Sequence, residues 1–254
     1  LYLRTWYDNT PQQFLLHPNY PEEVDNSTQN TTLLLHFNDG LGATTASDSS
    51  PYKRDGTLTG NAYFTNDSVI GTAIRFDGAT GYLTISNNSL PPELNFSSSD
   101  KFTISGWYKS NNNKGGSPNG HNQRSFYIDN GNRLQLVVNE AELASCTFGT
   151  VAASAPTTSV FPNGTWSHVV CVYDGTQMDM YRNGVNVETG TAAAGDPDPS
   201  FPMAYLGADA SSTVNGHFNG AIDEFKIVNR SLTAAEISAD YRKGCPFCSS
   251  DGEL

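Results

Sequence analysis

The chain has 254 residues, with 26 Asp or Glu against only 14 Lys or Arg, so its formal net charge is -12. Such an acidic surface repels phosphate backbones and argues against a nucleic-acid-binding protein. No apolar run approaches the ~20 residues that a transmembrane helix needs, so no membrane span is predicted. The length suits one large β domain or two small ones.

Residues 1–32 differ from the rest of the chain. The segment "LYLRTWY" at 1–7 alternates as a strand does, and the proline-rich stretch after it has no period. This pattern predicts an extended N-terminal arm. The arm either packs across its own domain or pairs with a neighbouring subunit by strand addition, and the sequence leaves both alternatives open.

From residue 33 onwards the pattern is that of a β protein. Short alternating segments recur with turn residues between them. They lie at 31–37, 71–78, 81–86, 101–110, 124–130, 132–140, 165–175, 177–184, 185–190, 203–208 and 220–228. The dipeptides Asn130-Gly131 and Asn183-Gly184 predict tight hairpins, because Asn-Gly supplies the positive φ values of a type I′ turn.

One helix is predicted, near the end of the chain. Thr233 and Glu236 form a T-x-x-E capping box, and Ile237 and Tyr241 follow on one face. Leu232 and Ile237 are predicted to pack back on a sheet. The fold class is therefore all-β: a two-sheet antiparallel sandwich with one short C-terminal helix and an extended N-terminal arm.

Four segments in order carry a family resemblance: "GTAIRFDGATGYLTI", "FTISGWYKS", "GTWSHVVCVYDGTQMDMYRNGV" and "GHFNGAIDEFKIVNRSLTAAEI". Together they resemble the LamG-like jelly-roll domain of the concanavalin A-like lectin/glucanase superfamily. The resemblance covers residues 33–243 and leaves the arm and a cysteine-containing tail at 244–254. It implies a jelly roll that binds glycans or proteins, serves in adhesion or hydrolyses polysaccharides, mostly outside the cell.

The acidic pair Asp223 and Glu224 is the first candidate for chemistry. Glucanases of the resembled superfamily alternate their carboxylates along one strand, which places them about 5–5.5 Å apart on one face. Adjacent acids on a regular strand point to opposite faces, so we predict that the chain is not an enzyme.

The resemblance implies a structural Ca²⁺ site instead. Its ligands carried over by position are Asp223, Gly71, Asn38 and Asp39, with Asp48 as a weaker candidate. Calcium binds six to eight oxygens, which carboxylates and backbone carbonyls can supply.

Aromatic residues suggest a glycan site. Trp107 alternates with the apolar residues of its strand, and its ring could stack on a sugar. The alternative is a ring covered by the 110–123 loop or by the arm. Tyr127 and Arg124, near that loop, are further candidates for glycan binding.

Trp166 and His168 open the 165–175 segment. Trp166 is predicted to be a core or rim residue. His168 is predicted to be structural, because the sequence offers no partner carboxylate or nucleophile for a catalytic base.

The four cysteines fit two disulfides formed in an oxidising compartment. Cys146 and Cys171 are predicted to pair, since both lie in or next to strands that could be neighbours in one sheet. Cys245 and Cys248 predict a local disulfide that holds the C-terminus. A redox or zinc role is disfavoured, because the sequence lacks a βαβ context and two further ligands.

N-x-[ST] sequons are consistent with a secreted glycoprotein. They occur at Asn26, Asn30, Asn66, Asn87, Asn95, Asn163 and Asn229.

These observations predict a secreted or cell-surface, non-catalytic domain for adhesion or carbohydrate binding, with structural calcium and a glycan or protein surface as its ligand. The first alternative is a subunit of an extracellular filament joined through residues 1–32. A polysaccharide hydrolase is the second alternative.

Overall fold

The computed structural model describes residues 30–86, 91–111, 123–129, 134–138, 144–148, 151–154, 162–191, 203–208 and 216–245. These residues contain sixteen strands, a 3₁₀ helix and one α-helix. The strands are β1 Thr31–Leu35, β2 Thr45–Ala46, β3 Gly56–Thr59, β4 Tyr63–Thr65, β5 Ala73–Asp77, β6 Tyr82–Ser86, β7 Phe102–Ser110, β8 Gln123–Asp129, β9 Leu134–Val138, β10 Ala144–Phe148, β11 Val151–Ser154, β12 Trp166–Tyr173, β13 Gln177–Arg182, β14 Val185–Thr191, β15 Met203–Leu206 and β16 Asn219–Val228. The 3₁₀ helix is Pro92–Leu94, and α1 is Ala234–Gly244.

In the described part of the chain the strands form two antiparallel sheets of eight strands each. The first, here called the β16 sheet, has the order β14-β13-β12-β7-β16-β5-β4, and β1 pairs with the second half of β16. The second, here called the β8 sheet, has the order β11-β10-β9-β8-β15-β6-β3-β2. The predicted all-β, two-sheet sandwich is confirmed.

The core lies between the two sheets and is built from alternate residues of each strand. In β12, Val169, Cys171 and Tyr173 face this core, whereas the intervening residues face outwards. At one end the rings of Phe102, Phe148 and Tyr173 meet, with centroid distances of 5.1 to 5.4 Å. Burial of this apolar surface is the main force that holds the sheets together.

Each predicted alternating segment forms a strand, but five further strands were not predicted. They are β2, β3, β4, β10 and β11. These strands are short or consist of small and polar residues, as in "ASCTF" of β10 and "VAAS" of β11. Their neighbours in the sheet determine their conformation, because intrinsic β propensity is weak by comparison.

The local turn and cap predictions are confirmed where the structure describes them. Asn183 and Gly184 have φ values of 50° and 83°, as a type I′ hairpin requires. Thr233 and Glu236 form the reciprocal capping box of α1. Ile237 is fully buried in a small apolar cluster on the outside of the β16 sheet.

The arm prediction falls mostly on residues 1–29, which lie outside the described residues, as does the hairpin at Asn130-Gly131. Thr31 and Thr32, on the arm side of the predicted boundary at 33, belong to β1. No helix in the described residues is long and apolar enough to cross a bilayer.

Candidate functional site

A β-bulge in the middle of β16 holds the acidic pair. Asp223 lies opposite Trp107 and Lys226 opposite Ser105, so β16 has one extra residue between these pairs. Glu224 has a φ of 49°, the left-handed conformation that such a bulge requires and that is unusual for a non-glycine residue. Both Ile222 and Phe225 belong to the core. Both acids therefore lie on the outer side, and the prediction that they point to opposite faces is wrong.

The Asp223 carboxylate is fully buried and holds a neighbouring loop. One oxygen accepts hydrogen bonds from the backbone N–H groups of Val69 and Ile70, at 2.8 and 2.9 Å. The other accepts from the Glu224 N–H at 2.9 Å. Burial, followed by the charge of Glu224, raises the pKa of Asp223 to about 7, although the three donors favour the charged form.

Glu224 faces His36 across the edge of β1. Its Oε2 atom lies 2.7 Å from the Nδ1 atom of His36, whereas its buried Oε1 atom has no hydrogen-bond partner among the described residues. Each acid of the pair thus has its own neighbours: backbone amides for Asp223 and an imidazole for Glu224.

Three of the four predicted calcium ligands come together around the turn at residues 68–72. The Asn38 Oδ1 atom accepts from the Thr72 N–H at 2.9 Å, and a Cβ at Gly71 would collide with the Asn38 amide. Gly71 also has a φ of 64°, a conformation that favours glycine. Both the close approach of Asn38 and the backbone conformation therefore require glycine at this position. Together with Asp223, these residues present the oxygen donors that Ca²⁺ prefers. The calcium site stays a prediction.

The remaining acids near this turn have other roles in the structure. Asp39 accepts the Ser47 N–H with both carboxylate oxygens at 3.1 Å. Asp48 is buried and accepts hydrogen bonds from Leu34, Ser50 and the Arg54 backbone. No group of three or more His, Cys, Asp or Glu side chains in the described ranges is placed to hold a metal ion.

Trp107 lies beneath α1, in contact with Tyr241. Only 5% of the residue is exposed. Its ring stacks on Tyr241 at 5.6 Å between centroids and lies 5.3 Å from the His168 ring. A glycan-stacking role for Trp107 stays a prediction, but the faces of the ring are already in contact with protein.

Tyr127 lies on the outer side of the β8 sheet, opposite Tyr205 of β15. Tyr205 packs edge-on against Tyr82 at 5.7 Å, and Tyr82 contacts His217 at 6.3 Å. Tyr127 is only 3% exposed. Arg124 belongs to β8, but its side chain lies outside the described residues. Glycan binding by Tyr127 and Arg124 therefore stays a prediction.

A row of side chains on the outside of the β16 sheet was not found by sequence reasoning. Strand register places Tyr63 of β4 beside Arg75, Arg75 beside Ala221, Ala221 beside Lys109, and Lys109 beside Trp166 of β12. We call these five residues the outer row. Four steps between strands of about 4.8 Å give it a length of about 19 Å. The row lies just beyond the region that α1 covers.

One aromatic end of the outer row is available for contact. Tyr63 is 53% exposed, and neither its ring nor its hydroxyl has a partner among the described residues. Trp166 is half-buried, and its indole N–H is buried without a hydrogen-bond acceptor in the described part of the chain. Ala221, between them, is small and only 1% exposed, so neighbouring atoms cover it. The sequence predicted Trp166 as a core or rim residue but not its place in the outer row. That place depends on the pairing of five strands.

The polar groups of the outer row are held by their neighbours. The Lys109 ammonium is paired with Asp67 at 2.8 Å. The Arg75 guanidinium donates to Asn219 Oδ1 at 3.0 Å. The Asn111 amide, oriented with its oxygen towards Arg75, accepts from Nη1 at 3.0 Å and Nη2 at 2.9 Å. The result is an ordered surface of aromatic rings and hydrogen-bond donors.

The Cys146–Cys171 disulfide is present, with the two Cα atoms 5.9 Å apart. Its position differs from the predicted one, because β10 and β12 belong to different sheets and the bond crosses the core between them. Cys245 is also disulfide-bonded. Cys248 lies outside the described residues.

The sequon asparagines within the described ranges are all exposed. They are Asn30, Asn66, Asn95, Asn163 and Asn229. Asn26 and Asn87 fall outside those ranges. Exposure is necessary for N-glycosylation, which stays a prediction for this chain.

Solved structures with similar folds include binding domains. The binding domain of Paraclostridial Mosquitocidal Protein 1 is 15% identical at a TM-score of 0.66, covering 89% of this chain and 56% of that one. The structure titled "Cell entry of botulinum neurotoxin type C is dependent upon interaction with two ganglioside molecules" is 14% identical at a TM-score of 0.63, with coverages of 87% and 53%. The chain thus spans about half the length of these two chains.

A third similar structure is a domain of an extracellular arabinanase. Domain 4 of AbnA, a GH43 extracellular arabinanase from Geobacillus stearothermophilus, was solved in complex with arabinotriose. It is 21% identical at a TM-score of 0.60, covering 83% of this chain and 97% of that domain. At these identities the similarity shows the fold alone. No curated protein sequence matches the chain.

A family model settles the relationship that the fold indicates. The model of the laminin G-like family Laminin_G_3, described as concanavalin A-like lectin/glucanases superfamily, matches residues 77–238. That segment runs from the last residue of β5 into α1 and includes both acids of the bulge. The chain is therefore a member of this laminin G-like family of the concanavalin A-like lectin/glucanases superfamily.

Proposed function

We propose that the chain is an extracellular carbohydrate-binding domain that catalyses no reaction, and that the outer row is its binding surface. The observation that carries the proposal is the exposed Tyr63 ring, which has no partner among the described residues and lies on the same face as Trp166. Aromatic rings bind the C–H faces of sugars, and nearby donors bind the hydroxyl groups.

The arrangement of the polar groups supports this reading. Arg75 and Lys109 lie between the two aromatic residues, and both are held in place by Asn219 and Asp67. Donors that are already ordered lose little conformational entropy when a ligand binds. Two similar folds, one solved with arabinotriose and one linked to gangliosides, support sugar binding as the proposed activity of this chain.

Binding without catalysis is supported by the surroundings of the acidic pair. Both oxygens of Asp223 accept backbone hydrogen bonds, so of the two acids only Glu224 keeps an oxygen, Oε1, without a hydrogen-bond partner in the described residues. A glycosidase needs one carboxyl group free to donate a proton and a second one free to attack or to activate water.

The test measures binding of an oligosaccharide array to the wild-type chain and to Tyr63→Ala. We expect loss of about 1–3 kcal/mol of binding free energy for the variant, as for other exposed aromatic contacts. Tyr52→Ala is the matched control, since Tyr52 is also an exposed tyrosine but does not belong to the outer row. Equal binding by all three proteins would rule out the outer row.

We also propose that Ca²⁺ stabilises the turn at 68–72 through Asp223, Asn38 and the Gly71 carbonyl. Calcium bound only by the folded state raises its stability in proportion to the logarithm of its concentration. We expect the melting temperature to rise with Ca²⁺ in the wild type and in Asp39→Asn, but not in Asp223→Asn. A wild-type melting temperature that is the same with Ca²⁺ and with a chelator would contradict the calcium site.

Extracellular location is the third part of the proposal. It is supported by the disulfide between the sheets and by the exposure of the described sequons. Mass spectrometry of the protein from its native source, with and without glycosidase treatment, would show whether these asparagines carry glycans.

A further inference from the structure

We propose that Arg75 binds the carboxylate of an acidic sugar, so that the outer row prefers glycans carrying a carboxylate. This inference rests on the proposed function, because it names the ligand class of the same surface. The ligand chemistry is a sugar ring bearing one carboxylate, as in uronic acids and sialic acids.

The first observation is that Arg75 has no ion-pair partner in the described residues. Its recorded contacts are the side-chain amides of Asn219 and Asn111. Arg54 and Arg230, by contrast, are each paired with a glutamate. Arginine is the residue best suited to bind a carboxylate.

The second observation concerns the acids closest in the fold. Asp77, two residues along β5, accepts hydrogen bonds from the N–H groups of Ala79, Thr80 and Gly81 at 2.8 to 2.9 Å. These donors keep the pKa of Asp77 well below its usual range despite its partial burial, so Asp77 stays ionised. Asp67 is paired with Lys109. Both carboxylates are held by other groups, and neither forms an ion pair with Arg75 in the described residues.

The third observation is the number of donors that remain. A guanidinium has five N–H donors, and the contacts with Asn219 and Asn111 use at most three of them. At least two are left for a ligand. Amide partners hold the guanidinium in position without cancelling its charge, as a preorganised anion site requires.

The fourth observation is the setting of Arg75 in the outer row. Tyr63 lies beside it on one side and Ala221 on the other. A sugar ring stacked on Tyr63 would place its substituents next to the guanidinium. The overall charge of -12 opposes anions at long range, but at physiological ionic strength the Debye length is only about 8 Å. The contact with Arg75 therefore decides the preference.

The experiment measures dissociation constants by calorimetry for two acidic probes and two neutral ones. The acidic probes are a sialylated trisaccharide and a uronic acid oligosaccharide, and each neutral probe is the same sugar with its carboxyl group reduced to an alcohol. We expect the wild type to bind at least one acidic probe tenfold or more tightly than its reduced counterpart. The probe that binds identifies the source of the carboxylate.

Two variants connect that preference with Arg75. In Arg75→Gln the acidic and reduced probes should bind equally, whereas Arg75→Lys should keep part of the preference, since it keeps the charge without the planar donors. Arg242→Gln, which changes an exposed arginine on α1, should behave like the wild type. Thermal melts would establish that each variant is folded.

The two proposals fail in different ways. If the wild type binds acidic and reduced probes equally, or if Arg75→Gln keeps the preference, this inference is overturned while sugar binding stands. If no probe binds and the oligosaccharide array is also negative, the proposed function falls and this inference with it.

Discussion

The indole ring of Trp107 stacks on the phenol ring of Tyr241, with centroids 5.6 Å apart and planes inclined by 28°. The backbone of Gly244 closes the arrangement, because a Cβ at that position would lie 2.5 Å from Cζ2 of Trp107. The last turns of α1 are thus fitted to one ring on the outside of the β16 sheet. This contact explains why a tryptophan on the outer side of a strand is buried.

Removal of the Tyr241 ring should loosen this contact. We expect Tyr241→Ala to lower the free energy of unfolding by about 3 kcal/mol, the usual cost of truncating a buried aromatic ring. Tyr241→Phe, which keeps the ring, should cost less than 1 kcal/mol. Urea unfolding followed by tryptophan fluorescence would measure both. A cost for the alanine variant no larger than that for phenylalanine would show that the stacking does not hold α1.

The buried imidazole next to this pair gives a pH dependence. Burial lowers the pKa of His168 from 6.5 to about 4, with Asp240 opposing the shift and Lys226 and Lys243 adding to it. Between these values the unfolded state binds more protons than the folded state, so stability falls as the pH drops from 6.5 towards 4. The effect amounts to at most about 3 kcal/mol.

The difference in unfolding free energy between wild type and His168→Asn isolates this effect, because Asp223, whose pKa is raised, titrates in both proteins. The wild-type advantage should shrink steadily from pH 6.5 to pH 4. A difference that stays constant over that range would mean that His168 is protonated to the same extent in both states.

The disulfide between the sheets should contribute strongly to stability. Cys146 and Cys171 are 25 residues apart, and a loop of that size implies a loss of about 3 kcal/mol when both become alanine. The corresponding double variant of Cys245 and Cys248 would open a far shorter loop and should cost less. Chemical denaturation of the two variants under oxidising conditions would compare them. Equal losses would argue that loop closure does not explain the effect.

A glycan on Asn66 should interfere with the outer row. Asn66 is exposed and directly precedes Asp67, which is paired with Lys109 of the row. If the proposed function holds, glycosylated protein should bind the oligosaccharide at least tenfold more weakly than Asn66→Gln produced in the same cells. Asn95→Gln is the control, since Asn95 adjoins Phe96, which packs on Phe102 at the far end of β7. Equal affinities for all three proteins would show that a glycan on Asn66 does not hinder binding at the outer row.

The fold was predictable because most strands alternate apolar and polar residues, and this pattern depends only on neighbours in sequence. The capping box of α1 and the hairpin at Asn183 were predictable for the same reason. The outer row was not, since Tyr63 and Trp166 are brought to one face by the register of five strands. The pairing of Cys146 with Cys171 was predicted correctly, but the two strands were wrongly placed in one sheet. The reason is that β10 lacks a strand-like sequence.

Because of the bulge at Glu224, β16 can tolerate the deletion of one residue at this position. Ile222 and Phe225 face the core with two residues between them, and β7 has one residue fewer over the same interval. Deletion of Glu224 would therefore restore a regular strand in which every core residue still faces the core. Deletion of a residue outside the bulge would instead move the following side chains to the opposite face of the sheet. At this point in a central strand, the loss of one codon would remove the pairing with His36 and leave the sandwich intact.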